Sequence, residues 1–160
     1  MTPILTSPST IENQCKTNGG ASAASGLLVW YESLSIGVQE LDTDHYRMIE
    51  IMNRLHDGMV VGHQREELSA VLDELIEYTR YHFNHEESYF NRGDYPSAAV
   101  HHAEHELLVE QILQVREGLS SRSIEDLDTE LMNYLQSWLI THIMNTDKKL
   151  GPWLNAHGVF

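Results

Sequence analysis

The sequence predicts an all-α protein, an up-down-up-down antiparallel four-helix bundle with an N-terminal extended arm. Three observations predict it. Apolar residues recur at helical spacing through four long segments, with no alternating strand pattern. The breaks between segments are short and carry turn residues, as in Asp57-Gly58 and Arg92-Gly93-Asp94-Tyr95-Pro96. Histidines and carboxylates interrupt the apolar stripes at one matched level on all four segments.

Residues 1–26 are rich in Ser, Thr, Asn, Gly and Ala and show no periodicity, so they read as a disordered tail or linker. Residues 27–160 form the expected single folded domain, starting at the first aromatics, Trp30 and Tyr31. Leu34 to Glu40 is an extended stretch broken by Gly37. Asp42 or Thr43 is the expected N-cap of the first helix. Met48, Ile49, Met52 and Leu55 follow at helical spacing, and Asp57-Gly58 is the expected end.

The second helix is expected from Arg65 to Asn91, with Leu68, Leu72, Leu75, Thr79, His82, Phe83 and Glu86 facing inward. The third runs from Ser97 to Gly118 on the stripe His101, His105, Leu108, Ile112 and Val115. After a loop over Ser120–Ser123, the fourth begins at Ile124 and carries Leu127, Leu131, Leu135, Trp138 and His142. It is expected to stop before Pro152.

Composition narrows the function classes. Of 160 residues, 24 are acidic and 10 basic, a formal net charge of −14, which disfavours nucleic acid and anionic membranes as partners. No apolar run approaches the roughly 20 residues that span a bilayer, and the N-terminus lacks a secretory pattern, so the expected location is cytoplasmic. Cys15 is the sole cysteine, which excludes an internal disulfide and a cysteine-based zinc site.

The chemistry lies in the ten histidines. His82 and Glu86 are four residues apart, as are His101 and His105. Four residues advance about 400° on a helix, so each pair shares a face one turn apart. His45 to His82 and His105 to His142 span equal lengths of chain. Counting back from the two hairpin turns brings all four histidines to one level of the bundle.

His142 and Asp147 are five residues apart, about 140° around an ideal helix. Sharing a site therefore requires a π-type widening there, or fraying. The candidate metal-ligating residues are His45, His82, Glu86, His101, His105, His142 and Asp147. Five imidazoles and two carboxylates exceed the four ligands of structural zinc and suit two first-row ions. No Glu stands three residues before any His, which removes the Glu-x-x-His pattern of ferritin-like bundles. His56, His63, His85, His102 and His157 read as surface, loop or off-stripe residues.

At these residues the chain resembles the hemerythrin family, in its bacterial branch, from about Val29 to Leu154. The motifs are Asp42-Thr43-Asp44-His45, His82-Phe83-x-x-Glu86-Glu87, Gly93-Asp94-Tyr95-Pro96, His101-x3-His105, and Trp138-Leu139-Ile140-x-His142 followed by Asp147. The resemblance implies reversible O2 binding at a non-haem di-iron centre. It implies that His101, His105 and His142 hold one iron, that His45 and His82 hold the other, and that Glu86, Asp147 and a solvent-derived oxo or hydroxo group bridge them. It further implies an apolar O2 pocket of Met48, Phe83, Trp138, Leu139 and Ile143.

The chain departs from the pattern at Asp44, where many relatives carry Gln; a carboxylate there is expected to alter hydrogen bonding to His45 or an access path. Oxygen storage, transport or delivery to an O2-consuming enzyme is the leading functional expectation. An O2 or redox sensor is the alternative, with the N-terminal tail as the trace of a lost or fused signalling module. A di-iron enzyme consuming peroxide or nitric oxide is disfavoured, because the sequence offers no obvious general acid.

Overall fold

The computed structural model describes residues 27–90, 94–118 and 124–160, with side chains in the last stretch from residue 132 onward. The tail expected over residues 1–26, the loop over 120–123, and Arg92 and Gly93 of the expected turn lie outside the described residues.

An arm without regular structure, interrupted by a 3-10 turn at Glu32–Leu34, leads into helix α1, Gln39–Val60. Helix α2 spans Arg65–Phe90, α3 Ala98–Gly118 and α4 Ile124–His142. A π-helical turn, Ile143–Asp147, continues α4 directly into a short helix α5, Lys148–Ala156. No strand occurs among the described residues.

Side-chain partners give the direction of each pair. Along α1 and α2, Asp44 meets Tyr78 and His85, Arg54 meets Glu74, and Gly58 meets Leu68, so the two helices are antiparallel. Glu87 with His105 and Asp73 with Arg116 set α3 antiparallel to α2. Glu104 bonded to His142 brings the end of α4 back to the start of α3. The bundle is thus up-down-up-down.

The core follows from the stripes. Leu41, Met48, Met52, Leu55 and Met59 of α1 are buried with Leu68, Leu72 and Leu75 of α2, Leu108 and Ile112 of α3, and Met132, Leu135 and Leu139 of α4. Each stripe repeats at three or four residues and so stays on one face. Toward the end where α1 begins, the same stripes turn from apolar residues to His and carboxylate.

Four local expectations are corrected. Helix α1 begins at Gln39, and its N-cap, Val38, makes no side-chain capping bond. Asp42 lies inside the helix, where its carboxylate accepts bonds from Ser35 Oγ at 2.6 Å and Ile36 N–H at 2.8 Å and so fastens the arm. Gly58 does not end α1. It is buried in the last turn of the helix, where an added Cβ would lie 3.0 Å from Leu68 Cδ2. Gly62, with φ +76°, is the terminator. Its N–H bonds the Met59 carbonyl and the His63 N–H bonds the Gly58 carbonyl, a Schellman motif that requires a left-handed residue. Finally, the helical path does not stop before Pro152, which sits inside α5. A proline at the fifth residue of a helix removes only the first of its internal bonds.

The arm closes one end of the bundle. Asn53 and the Leu28 backbone exchange two hydrogen bonds, at 2.9 and 2.8 Å. Lys148 Nζ donates to the Ser35 carbonyl, and Asn155 Nδ2 donates to the Gly37 carbonyl at 2.9 Å. The Ile36 carbonyl packs directly over Gly151, where a Cβ would come within 1.9 Å of it.

Candidate metal centre

Four chain segments supply the seven residues. His45 comes from the second turn of α1, His82 and Glu86 from α2, and His101 and His105 from α3. His142 ends α4 and Asp147 ends the π turn. All seven are buried, and His45, Glu86, His101 and Asp147 are fully so. The π turn is the feature that the five-residue spacing of His142 and Asp147 demands. Bonding from i to i+5 widens the turn until residues five apart share a face.

The ligand-type atoms fall into two groups that share Glu86: Glu86, His101, His105, His142 and Asp147, and then His45, His82 and Glu86. In the first, His142 Nε2 lies 3.3 Å from His101 Nε2 and 3.1 Å from His105 Nε2. Glu86 Oε2 is 3.2 Å from both His101 Nε2 and His105 Nε2, and Asp147 Oδ1 is 3.0 Å from both His101 Nε2 and His142 Nε2. Asp147 presents its other oxygen, Oδ2, to His45 Nε2 at 3.2 Å. Asp147 therefore touches both groups through different atoms.

These spacings fit cations. Adjacent donors around a six-coordinate ion with bonds of roughly 2.1 Å stand about 3.0 Å apart. Both ring nitrogens of His45 and His82, and both carboxylate oxygens of Glu86 and Asp147, are buried with no hydrogen-bond partner. A buried polar atom left unpaired costs roughly 1–3 kcal/mol. A cluster of such atoms in a closed core is the donor set of a metal site rather than of a packing core.

Outside this cluster stand carboxylates that hold the imidazoles. Glu87 contacts His105 Nδ1 at 2.7 Å, and Glu104 contacts His142 Nδ1 at 3.0 Å. Thr146 Oγ1 donates to the same Glu104 oxygen at 2.8 Å. Asp44 Oδ2 lies 3.5 Å from His82 Nδ1. The carboxylate preceding His45 thus faces His82 across the helix interface, at ion-pair distance and outside hydrogen-bond geometry, a correction to the expected partner. Asp44 and its neighbour project from α1 about 100° apart.

Electrostatics follow the same geometry. Burial disfavours a charged His101, but Asp147 and Glu86 outweigh it and raise the imidazole to about 9. Burial and the neighbouring Asp147 work against a charged Glu86, yet His101, His105 and His82 hold it down at about 2. Asp147 is likewise held well below the usual range, against its burial, by His142, His101 and His45. Burial would raise Asp44, but His82, His85 and Tyr78 bring it to about 2. Burial keeps His82 below the ordinary imidazole value. The site is thus a set of anionic carboxylates among imidazoles, ready to accept cations.

Of the expected pocket residues, Met48, Phe83, Leu139 and Ile143 are buried and Trp138 is half-buried. Phe83 stacks flat on His105 with ring centroids 3.7 Å apart, and Trp138 stacks on His142 at 4.7 Å. The two aromatics meet edge-on at 6.0 Å. A groove of about 390 Å³ between α3 and α4 reaches Trp138 and His142 from the surface. His56, His63, His102 and His157 stand at or near the surface, apart from the cluster. His85 and His102 nonetheless reach carboxylates beside the cluster, His85 bonding Asp44 at 2.8 Å and His102 Nδ1 standing 2.9 Å from Glu87 Oε2.

Residues 36–154 match the family model described as Hemerythrin HHE cation binding domain. The chain is 35% identical over 131 residues to a bacteriohemerythrin of Stenotrophomonas maltophilia, covering 82% of this chain and 84% of that protein. It is 32% identical over 115 residues to a bacteriohemerythrin of Methylococcus capsulatus, covering 72% and 86%. A crystal structure of wild-type hemerythrin superimposes with a TM-score of 0.72 at 29% identity, covering 79% of this chain and 96% of that one.

Proposed function

The chain belongs to the hemerythrin family, and from that premise we propose that it binds O2 reversibly at a non-haem di-iron centre for storage, transport or delivery. The supporting observation is the pair of donor groups that share Glu86 and are both touched by Asp147. His101, His105 and His142 would hold one iron, and His45 and His82 the other. Glu86 and Asp147 would bridge them with a solvent-derived oxygen. When bound, the two ferrous ions supply the electrons that make O2 binding possible and its release reversible.

The protein's own part is to hold, orient and exclude. With Asp147 counted on both sides, five donor residues surround one position and four the other, so the second has more open coordination and is where O2 would be received. Glu87 and Glu104 fix the rings of His105 and His142, which keeps the filled position filled. Phe83 and Trp138 cover those rings from outside and limit water. Met48, Leu139 and Ile143 add apolar bulk suited to a neutral diatomic and unsuited to anions.

The test is an anaerobic ferrous reconstitution followed by repeated oxygenation and argon purging. Two irons per chain and an absorption band that rises with O2 and disappears on purging are expected. Irreversible oxidation on first exposure would remove the reading.

A second reading, O2 or redox sensing, is favoured by one contact. Asp147 touches both donor groups, and the next residue, Lys148, holds the Ser35 carbonyl of the arm. A ligand-dependent change in hydrogen exchange over residues 27–38 would distinguish sensor from simple carrier. Delivery to an O2-consuming enzyme would show as faster turnover of that enzyme when the oxygenated protein is supplied.

A further inference from the structure

Asp44, like Glu87 and Glu104, faces a histidine of another helix, but it is the one of the three that is buried. It touches no ligand of its own helix. Its Oδ2 lies 3.5 Å from Nδ1 of His82 and 2.8 Å from Nδ1 of His85, while Oδ1 accepts the Tyr78 hydroxyl at 2.9 Å. All three partners are on α2, and they occupy successive turns of it. The array continues outward. His85 Nε2 stands 3.4 Å from Glu40 Oε2, which also accepts the Tyr89 hydroxyl at 2.9 Å. Asp44 itself is buried, and Glu40, at the mouth of the array, is exposed.

The two donor groups are supported unequally. In the three-histidine group, His105 and His142 each have a carboxylate behind them. In the two-histidine group, Nδ1 of His45 and Nδ1 of His82 are both buried without a hydrogen-bond partner, but His82 Nδ1 faces a carboxylate oxygen at 3.5 Å. His82 is therefore the one histidine of that group with a carboxylate behind its ring, and the carboxylate is Asp44. With Nδ1 turned to Asp44, Nε2 is the nitrogen left for the cluster with His45 and Glu86.

We propose that Asp44 is the positioning residue of the two-histidine metal position. It holds His82 as the Nδ1–H tautomer with Nε2 aimed at the ion, and Tyr78 and His85 hold Asp44 in turn. The inference rests on the metal reading given above. An imidazole ligand with its other nitrogen bonded to a carboxylate has a fixed ring and a more basic donor atom. Loss of such a partner commonly weakens metal binding 10–100-fold. The Tyr78 hydroxyl and the His85 ring prevent the carboxylate from swinging away to solvent. Two of these residues, Tyr78 and His85, act through Asp44 and touch no donor atom of the cluster.

The experiment uses the full chain in two forms. In the metal-free protein, nitrogen-15 NMR of the histidine rings reads the tautomer of His82. In anaerobic titrations with ferrous ion, the binding isotherm reads the two positions separately. Asp44→Asn keeps an acceptor oxygen, and Asp44→Leu removes it. The expected result is an Nδ1–H tautomer of His82 in wild type and Asp44→Asn, and a mixture in Asp44→Leu. One ion should bind Asp44→Leu as tightly as wild type, and the other 10–100-fold more weakly, with Asp44→Asn between them. Equal weakening of both ions would indicate a general loss of packing and overturn the proposal, as would an unchanged second ion. If Asp44→Leu does not fold, Tyr78→Phe removes only a hydroxyl. It should loosen the same ion by a smaller factor, and no change there would also overturn the proposal. Failure of wild type to bind two ions would sink the metal reading, while the His82 tautomer would still decide the role of Asp44.

Discussion

At the scale of single residues, the cluster sets opposing proton demands. His101 is raised to about 9, so it stabilises the fold fully below the ordinary 6.5 and loses that contribution as pH rises through 9. Glu86 is lowered to about 2, so it stabilises fully above the ordinary 4.5 and loses its contribution as pH falls through 2. The metal-free protein should therefore be most stable between about pH 4.5 and 6.5, with decline on both sides. Urea midpoints measured from pH 3 to 9.5 check this, and a flat profile from 6.5 to 9 would contradict the raised His101. That the seven candidate donors face one region of the core was legible because spacing of three to five residues on a helix fixes which face a side chain takes. Glu87 and Glu104 were not legible as supports. Each acts on a histidine of another helix, and that alignment depends on how the helices are rotated against one another.

At the scale of elements, the π turn and α5 carry the consequences. Asp147 reaches the cluster because five residues past His142 are wound in i to i+5 bonding. Deleting the exposed Asn145 would return the segment to α geometry and leave Asp147 four residues from His142, still on the same face. The deletion variant is expected to keep two metals, and a single alanine inserted after Asn145 is expected to lose the Asp147 donor. Metal content of the two purified variants decides; equal content in both would refute the register account. Gly151 is the second pressure point. A methyl there would stand 1.9 Å from the Ile36 carbonyl, backbone that cannot rotate away. Gly151→Ala should cost about 3 kcal/mol, at the upper end of overpacking, and displace the arm. A urea denaturation midpoint matching wild type would contradict the close approach. The spacing of His142 and Asp147 revealed the π turn in the sequence. Gly58 was misread because a glycine that makes room for a neighbour and one that ends a helix look alike until Leu68 is in place.

At the scale of the whole molecule, five imidazoles and two carboxylates occupy the core where a stable bundle would place apolar side chains. Cations that bind only the folded state add RT ln(1 + [L]/Kd), about 4 kcal/mol per site at a thousandfold excess over Kd. Ferrous loading should raise the melting temperature markedly, and chelation should lower it to the metal-free value. Calorimetry under anaerobic conditions measures this, and identical transitions with and without metal would argue against occupation of the cluster. The charge of −14 leaves the surface unsuited to polyanions. No helix among the described residues is long and apolar enough to cross a membrane.

The sequence by itself determined the helices, their order, and the level at which His45, His82, Glu86, His101, His105, His142 and Asp147 stand. Those follow from periodicity and from counting residues back from the turns. Tertiary structure alone decided which carboxylate stands behind three of the histidines, Asp44 behind His82, Glu87 behind His105 and Glu104 behind His142, and how Lys148 and Asn155 hold the arm over Gly151. The physical reason is that a periodic pattern fixes a residue's face on its own helix. Its partner on another helix is fixed only when both helices are packed and rotated into contact.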